Sequence, residues 1–179
     1  MKSKRIILGV TASIAAYKAC EIVRRLLRDK IGVSVVMSEN ATRLISPQVF
    51  SSLSCGRVYW DMFSDACGWE IEHISLAKQA DLVLIAPATA NIIGKLANGI
   101  ADDLLSTLVT AVRVPVLIAP AMNENMLKNR IVRENINKLK GLGYKFIEPE
   151  KGRLACGDVG VGHLADVEII VRQVKRFLK

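Results

Sequence analysis

One rhythm constrains this chain more than any other feature. Short, largely apolar runs alternate with stretches whose apolar residues recur at helical spacing. The runs predict strands over 6–10, 33–37, 57–60, 82–86, 114–119 and 144–147. Between the first two, Ala15, Ala19, Ile22, Val23, Leu26 and Leu27 share one helical face behind Ser13, a good N-cap. A polar helical stretch reaches Ile45, and Pro47 after Ser46 starts another helix, because proline suits the first helical position. Further helices are expected over 73–80 and 92–97, from Asp102 or Asp103 to Ala111, over 124–140, and from an Asp166 cap to Phe177. Strand–helix alternation yields a parallel sheet covered on both faces, and strands this uniformly apolar fit that burial. The expected class is therefore α/β, with three layers.

Composition narrows the choice. A length of 179 residues fits one domain, 1–179, and lets a folded chain bury roughly 70% of its unfolded surface. With 51% hydrophobic residues in patterned runs, disorder and low-complexity scaffolding are excluded. No apolar run approaches the roughly 18 residues of a membrane span. At the N-terminus, Gly9-Val10-Thr11 cuts short the apolar run that a signal peptide would need, so a cytoplasmic location without a membrane is expected. Cysteines 20, 55, 67 and 156 show no CxxC spacing, and there are only two histidines, so no metal site is expected and the thiols should be free. The net charge of +8 is spread largely along helix faces: Arg24, Arg25 and Arg28; Lys128, Arg130 and Arg133; Arg172, Lys175 and Arg176. Solvated faces explain it best, an anionic small ligand next, and a nucleic-acid partner is not expected.

In an open parallel sheet, ligands bind beyond the carboxyl ends of the strands. The residues there are Thr11 to Ser13, Ser38, Pro87 to Asn91 and Pro120 to Asn123. Gly9-Val10-Thr11-Ala12-Ser13 leads a strand into a helix N-terminus, where small residues and free amides can receive a phosphate; an ordinary capped turn is the plainer alternative. It is neither GxGxxG nor a Walker loop. Pro87-Ala88-Thr89-Ala90-Asn91 and Pro120-Ala121-Met122-Asn123 each carry a short amide arm after a strand. Each Asn could cap a helix or face a shared crevice. His73 opens a predicted helix, whose N-terminus favours a neutral imidazole and hence a base near neutral pH, although a surface histidine is the commoner case. Residues 61–70, with Cys67 and Trp69, read as an irregular loop. Residues 148–165 form the longest aperiodic stretch, read as a substrate-flap loop: Cys156, among glycines and beside Arg153, is a candidate acid or nucleophile. Cys20 reads as core, Cys55 and Cys67 as structural.

Taken together these motifs resemble the flavin-containing cysteine decarboxylases. The likeness runs through Thr11-Ala12-Ser13-Ile14-Ala15-Ala16-Tyr17-Lys18, His73-Ile74-Ser75-Leu76, Pro87-Ala88-Thr89-Ala90-Asn91, Gly99-Ile100-Ala101-Asp102-Asp103-Leu104-Leu105, Pro120-Ala121-Met122-Asn123-Glu124-Asn125-Met126 and Ala155-Cys156-Gly157-Asp158-Val159-Gly160-Val161-Gly162. It implies a single Rossmann-like (flavodoxin-like) domain with FMN at a subunit interface, in trimers or in dodecamers built of trimers. It further implies that Ser13, Ser38, Thr89 and Asn91, with Thr11 in the same turn as Ser13, bind FMN. His73 would be the catalytic base, Asn123 would hold the substrate carboxylate with Met126 and Ala155 nearby, and Cys156 would donate a proton from the flap. The implied substrate is a phosphorylated cysteine conjugate of coenzyme A biosynthesis. A peptidyl cysteine, or a non-catalytic regulatory role, is the alternative within the family. The synthetase that makes the conjugate is a fused or separate partner. Two positions depart from the family's habit: Ala12 stands where glycine is frequent, and His163 where arginine is frequent.

The chemistry explains the parts. A cysteine carboxylate cannot leave as CO2 without an electron sink. Oxidising the thiol-bearing carbon to a thioaldehyde creates one, and the resulting enethiol must then be reduced and protonated. The reaction therefore asks for a base, a carboxylate holder, a flavin and an acid.

Overall fold

The computed structural model describes residues 4–62, 72–153 and 159–179. Six parallel strands form the main sheet: β1 (Arg5–Val10), β2 (Gly32–Met37), β3 (Val58–Tyr59), β4 (Leu82–Ala88), β5 (Val116–Pro120) and β6 (Lys145–Phe146), in spatial order β3-β2-β1-β4-β5-β6. That is the doubly wound order in which the chain reverses direction between β1 and β4, opening a crevice at the carboxyl ends of those two strands. The registers are tight: Leu8 lies between Val35 and Leu84, and Gly9 between Val36 and Ile85.

Each strand's alternate residues feed separate cores. Ile6, Leu8 and Val10 pack with α1 (Lys18–Arg28), α3 (Pro47–Ser54) and α9 (Val167–Phe177) through Ile22, Leu26, Phe50 and Ile170. Ile7 and Ile85 pack with α4 (Glu72–Gln79), α5 (Ala90–Ala97), α6 (Leu104–Ala111) and α8 (Arg130–Gly141) through Leu76, Ile93, Leu105 and Leu139. Burial of both faces explains why the strands carry no polar alternation. Truncating a fully buried residue such as Leu84 to Ala would cost ~2–5 kcal/mol. Gly9 has a specific reason: a Cβ there would lie 2.8 Å from Leu105 Cδ1, so its absence lets α6 settle on the sheet beside the crevice.

The expected elements are present, with five differences. Ser13 caps a 3-10 turn over Ile14–Tyr17, and the α-helix starts only at Lys18. β4 does not stop at Pro87 but runs to Ala88, because a register shift between Ile85 and Ala88 takes the proline, which has no N–H to give, into a bulge. β5 begins after Pro115. The helix expected over 124–140 is two, α7 (Glu124–Lys128) and α8, because Asn129 adopts an extended ψ of 132° and its Oδ1 accepts the amides of Ile131 and Val132. Within 148–165, β7 (Glu150–Arg153) and β8 (Val159–His163) pair as an antiparallel ribbon. Glycine at three of its positions hid the strand periodicity. The four-residue α2 (Glu39–Thr42) completes the set. Cys20 is partly buried against the first core, where burial raises its thiol pKa, whereas Cys55 is exposed at the left-handed end of α3. Among the described residues, no helix is long and apolar enough to cross a membrane.

Candidate functional site

The turns at the carboxyl ends of β2, β1, β4 and β5 are laced into one continuous rim. The Ser38 amide donates to Val10 O at 2.9 Å. Next, the Thr11 amide (3.3 Å) and hydroxyl (2.7 Å) both donate to Pro87 O, and the same hydroxyl accepts the Thr89 amide at 3.0 Å. The Ala121 amide donates to Ala88 O at 3.0 Å, and the Met122 amide to Gly162 O at 3.0 Å. The ribbon β7–β8 thus forms the last stitch of the row. Thr11 is buried with its hydroxyl engaged both as donor and as acceptor, so it holds the rim from behind.

The polar side chains on that rim differ in how far they are committed. Ser13 Oγ accepts the Ala15 amide at 3.3 Å and Ser38 Oγ the Ala41 amide at 3.3 Å, both long for a cap. Thr89 is the N-cap of α5 but makes no side-chain capping bond. Asn91 lies past that cap, on the exposed first turn of α5, and caps nothing. Asn123, by contrast, is the N-cap of α7 and its Oδ1 accepts the Asn125 amide at 2.8 Å. Met126 is exposed on α7. Thr11, Ser13, Ser38, Thr89 and Asn123 thus lie in the turns beyond the carboxyl ends of the strands, with Asn91 in the first turn of α5 and Met126 on α7. The backbone of His73 lies in the first turn of α4. Ala155 and Cys156 lie outside the described residues, as do Cys67 and Trp69.

Ala12 is compatible with the phosphate-type turn, since the non-glycine residues of positive φ among those described are Lys30 and Cys55. His163 closes β8. Its Nδ1–H donates to Leu164 O at 3.0 Å, which turns Nε2 toward Lys18 Nζ at 3.5 Å. Behind the rim, Lys95 bridges Asp102 (2.7 Å) and Asp103 (2.6 Å) and so braces the far end of α5 against the start of α6. Burial opposes ionisation of Asp103, but the Lys95 ammonium and the Ser106 amide and hydroxyl outweigh it and hold the carboxyl below its ordinary pKa.

Sequence reasoning gave Glu124 no role. Its Oε1 accepts the Val161 amide at 3.3 Å and Lys128 Nζ at 3.0 Å. The Lys128 bond first, and the Val161 amide second, lower its pKa. The available signal was Gly160-Val161-Gly162: glycine at alternate positions marks one face of a strand pressed against something.

The whole chain, residues 1–179, matches the family described as Flavoprotein, and the protein belongs to that family. It is 47% identical over 176 residues to the coenzyme A biosynthesis bifunctional protein CoaBC of Bacillus subtilis, covering 98% of this chain and 43% of that one. It is 43% identical to a Streptococcus mutans protein designated "Probable phosphopantothenoylcysteine decarboxylase", covering 98% and 99% of the two chains. Among solved structures, a cysteine-to-serine mutant of PPC decarboxylase complexed with pantothenoylaminoethenethiol superposes with a TM-score of 0.89 at 30% identity, covering 98% of each chain. The chain thus spans less than half the length of the bifunctional relatives and nearly all of the shorter one.

Proposed function

We propose that the protein is a carboxy-lyase that converts 4′-phosphopantothenoylcysteine to 4′-phosphopantetheine in coenzyme A biosynthesis, with FMN as cofactor. The observation that carries the reading is the laced rim at the β1–β4 switch point, where the Ser13 and Ser38 hydroxyls hold only long cap bonds and Thr89 makes no side-chain capping bond. That donor set fits a flavin phosphate: Ser13 and Ser38 hold long, weak cap bonds that an anion can replace, while Thr89 and Asn91 flank the first turn of α5 with no capping duty. Thr11 keeps these turns in register. When bound, FMN supplies an acceptor for the electrons of the thiol-bearing carbon and returns them at the end.

The chain's own residues supply the rest. His73 takes the proton released as the thiol-bearing carbon is oxidised. Asn123 donates from its amide to the substrate carboxylate and fixes its direction of departure, with Met126 and Ala155 along the substrate. Cys156 returns a proton to the carbon after CO2 has left. In support, the mutant relative in which serine replaces a cysteine carries an aminoethenethiol.

The protein works as a homo-oligomer, at least a trimer, in the cytoplasm, as one domain whose substrate flap is the segment near 148–165. Ile14 and Tyr17, 66% and 62% exposed immediately after the Ser13 turn, are large apolar residues that an interface at the cofactor would cover. The phosphopantothenoylcysteine synthetase is its functional partner, as the bifunctional relatives suggest.

The test is single-turnover incubation of FMN-loaded protein with 4′-phosphopantothenoylcysteine, reading CO2 and product mass. Release of CO2 with formation of 4′-phosphopantetheine is expected. Turnover of a C-terminal peptidyl cysteine instead would move the protein to the other branch, and colourless protein that takes up no FMN would remove the reading. His73→Asn should retain FMN and lose turnover, and Cys156→Ser should release CO2 but stall two hydrogens short of product.

A further inference from the structure

β8 approaches the Met122–Asn123–Glu124 turn more closely than side chains allow. A Cβ on Gly162 would lie 2.1 Å from Met122 O, and Gly162 has a φ of +147° that side-chain-bearing residues rarely adopt. A Cβ on Gly160 would lie 2.8 Å from Glu124 Oε2 and 3.1 Å from its carboxyl carbon. Two glycines on one face of one strand thus make room for a backbone turn and for one carboxylate. Glu124 uses that room: it accepts the Val161 amide at 3.3 Å, while the Met122 amide donates to Gly162 O at 3.0 Å. The ribbon is therefore held on both sides of Val161.

An acidic residue opening a helix is commonplace, since the helix N-terminus attracts negative charge. That does not account for Glu124. Helix α7 has only five residues, and the carboxylate leaves the helix to meet a strand from another part of the chain. Lys128 one turn on and Lys151 on the facing strand keep it charged where it sits. Because Glu124 directly follows Asn123, the side chain that seats the ribbon shares its backbone with the amide that receives the substrate carboxylate.

We infer that Glu124 is a positioning residue that seats the β7–β8 ribbon on the Asn123 turn and so sets how tightly a carboxylate-bearing substrate is held there. The inference rests on the decarboxylase reading for the identity of the substrate but not for the existence of the seat.

A cycle of four FMN-loaded proteins tests it: wild type, Glu124→Ala, Gly160→Ala and the double variant, with Glu124→Gln as the conservative control. Glu124→Ala should raise KM for 4′-phosphopantothenoylcysteine about tenfold, as loss of a charge-assisted hydrogen bond does, with kcat within about threefold and FMN affinity unchanged. Glu124→Gln keeps an acceptor for the Val161 amide and should restore most of the KM. Gly160→Ala should weaken substrate binding when Glu124 is present and cost little more in the Glu124→Ala background, because its methyl acts by pushing on that carboxylate. Hydrogen exchange at the Val161 amide should accelerate in Glu124→Ala and stay slow in Glu124→Gln. Unchanged exchange in Glu124→Ala overturns the seat. Faster exchange with unchanged KM overturns its link to substrate. Equal Gly160→Ala penalties in both backgrounds overturn the contact. If the wild type releases no CO2 from this substrate, the decarboxylase reading fails, while the exchange arm of the cycle still decides the seat.

Discussion

The turns after β4 and β5 look alike as sequence, Pro-Ala-Thr-Ala-Asn and Pro-Ala-Met-Asn, yet they are built in opposite ways. The β4 turn is locked from within. Its proline lies in a bulge, its carbonyl takes two bonds from Thr11, and its Thr89 amide gives one back to the Thr11 hydroxyl, all behind the rim. With its backbone satisfied from below, its side chains are left for a ligand: Thr89 caps without a side-chain bond, and Asn91 caps nothing. The β5 turn is locked from above. Asn123 spends its Oδ1 on the Asn125 amide, and the turn is gripped by β8 through Gly162 and Glu124. One turn is a fixed cradle and the other a jaw whose closing partner is a separate ribbon. That division suits the proposed reaction, in which a cofactor is kept through many turnovers and the substrate is exchanged in each.

The largest expected effect comes from attacking the jaw at its tightest point. Gly162→Ala places a methyl against the Met122 carbonyl and demands an unfavourable φ, so the ribbon must lift off, at a cost of about 3 kcal/mol. Turnover should fall by orders of magnitude while FMN stays bound, because the cradle is untouched. Flavin fluorescence against CO2 release would show it. Loss of FMN and substrate together would mean that the two turns are one unit.

The complementary attack is Thr11→Val. Valine keeps the shape of threonine but strands the Thr89 amide and one lone pair of Pro87 O, costing ~1–3 kcal/mol. FMN affinity should drop with it, and Thr11→Ser should recover most of both losses. Equal FMN affinity in Thr11→Val, measured by titration, would separate the clamp from the cofactor.

A smaller effect distinguishes the two asparagines. Asn123→Ala removes a helix cap and should lower the unfolding free energy by ~0.5–2 kcal/mol. Asn91→Ala removes no cap and should stay within about 0.5 kcal/mol in the absence of FMN. Denaturant titrations of the two apo variants provide the comparison.

Much of the parallel sheet could be read from the chain because burial on both faces writes itself as uninterrupted apolar runs: Ile6 to Val10 and Leu82 to Ala86 are of this kind, and nearly every residue in them is buried. The rim turns followed, since topology alone puts them at the carboxyl ends of the strands. What the chain concealed depends on contacts between distant segments. Thr11 reads as a phosphate-loop hydroxyl, and its bonds to Pro87 O and the Thr89 amide, 76 and 78 residues on, have no local signal. The two asparagines share a local pattern, but α5 takes Thr89 as its N-cap, which leaves Asn91 in the first helical turn, whereas α7 takes Asn123 itself. The paired strands 150–153 and 159–163 carry too many glycines for a period of two to show, and two of those glycines, Gly162 and Gly160, answer to Met122 and Glu124 rather than to their own ribbon. Glu124 follows Asn123 directly but has no local reason to matter. Its partner lies 37 residues away.

The smallest effect is a difference in acid response between the braces of the two turns. Behind the cradle, Asp103 is held ionised by Lys95 and Ser106 against the burial that opposes it, and its pKa lies below the ordinary value. At the jaw, Glu124 is lowered by Lys128 and the Val161 amide, but at a more open position. A carboxyl whose folded pKa is depressed adds stability that is fully present above its unfolded pKa, near 4, and is lost as the pH falls through the lower folded value. Both braces should therefore be intact at neutral pH and weaken below about pH 4. Asp103, with its partner Lys95 only 17% exposed, should contribute most of the change, and salt should screen it little. Thermal unfolding midpoints of wild type, Asp103→Asn and Glu124→Gln between neutral pH and pH 3 would read the difference. Asp103→Asn should flatten the acid limb of the stability curve and Glu124→Gln should barely alter it. The reverse order would mean that the jaw, not the cradle, carries the greater electrostatic load.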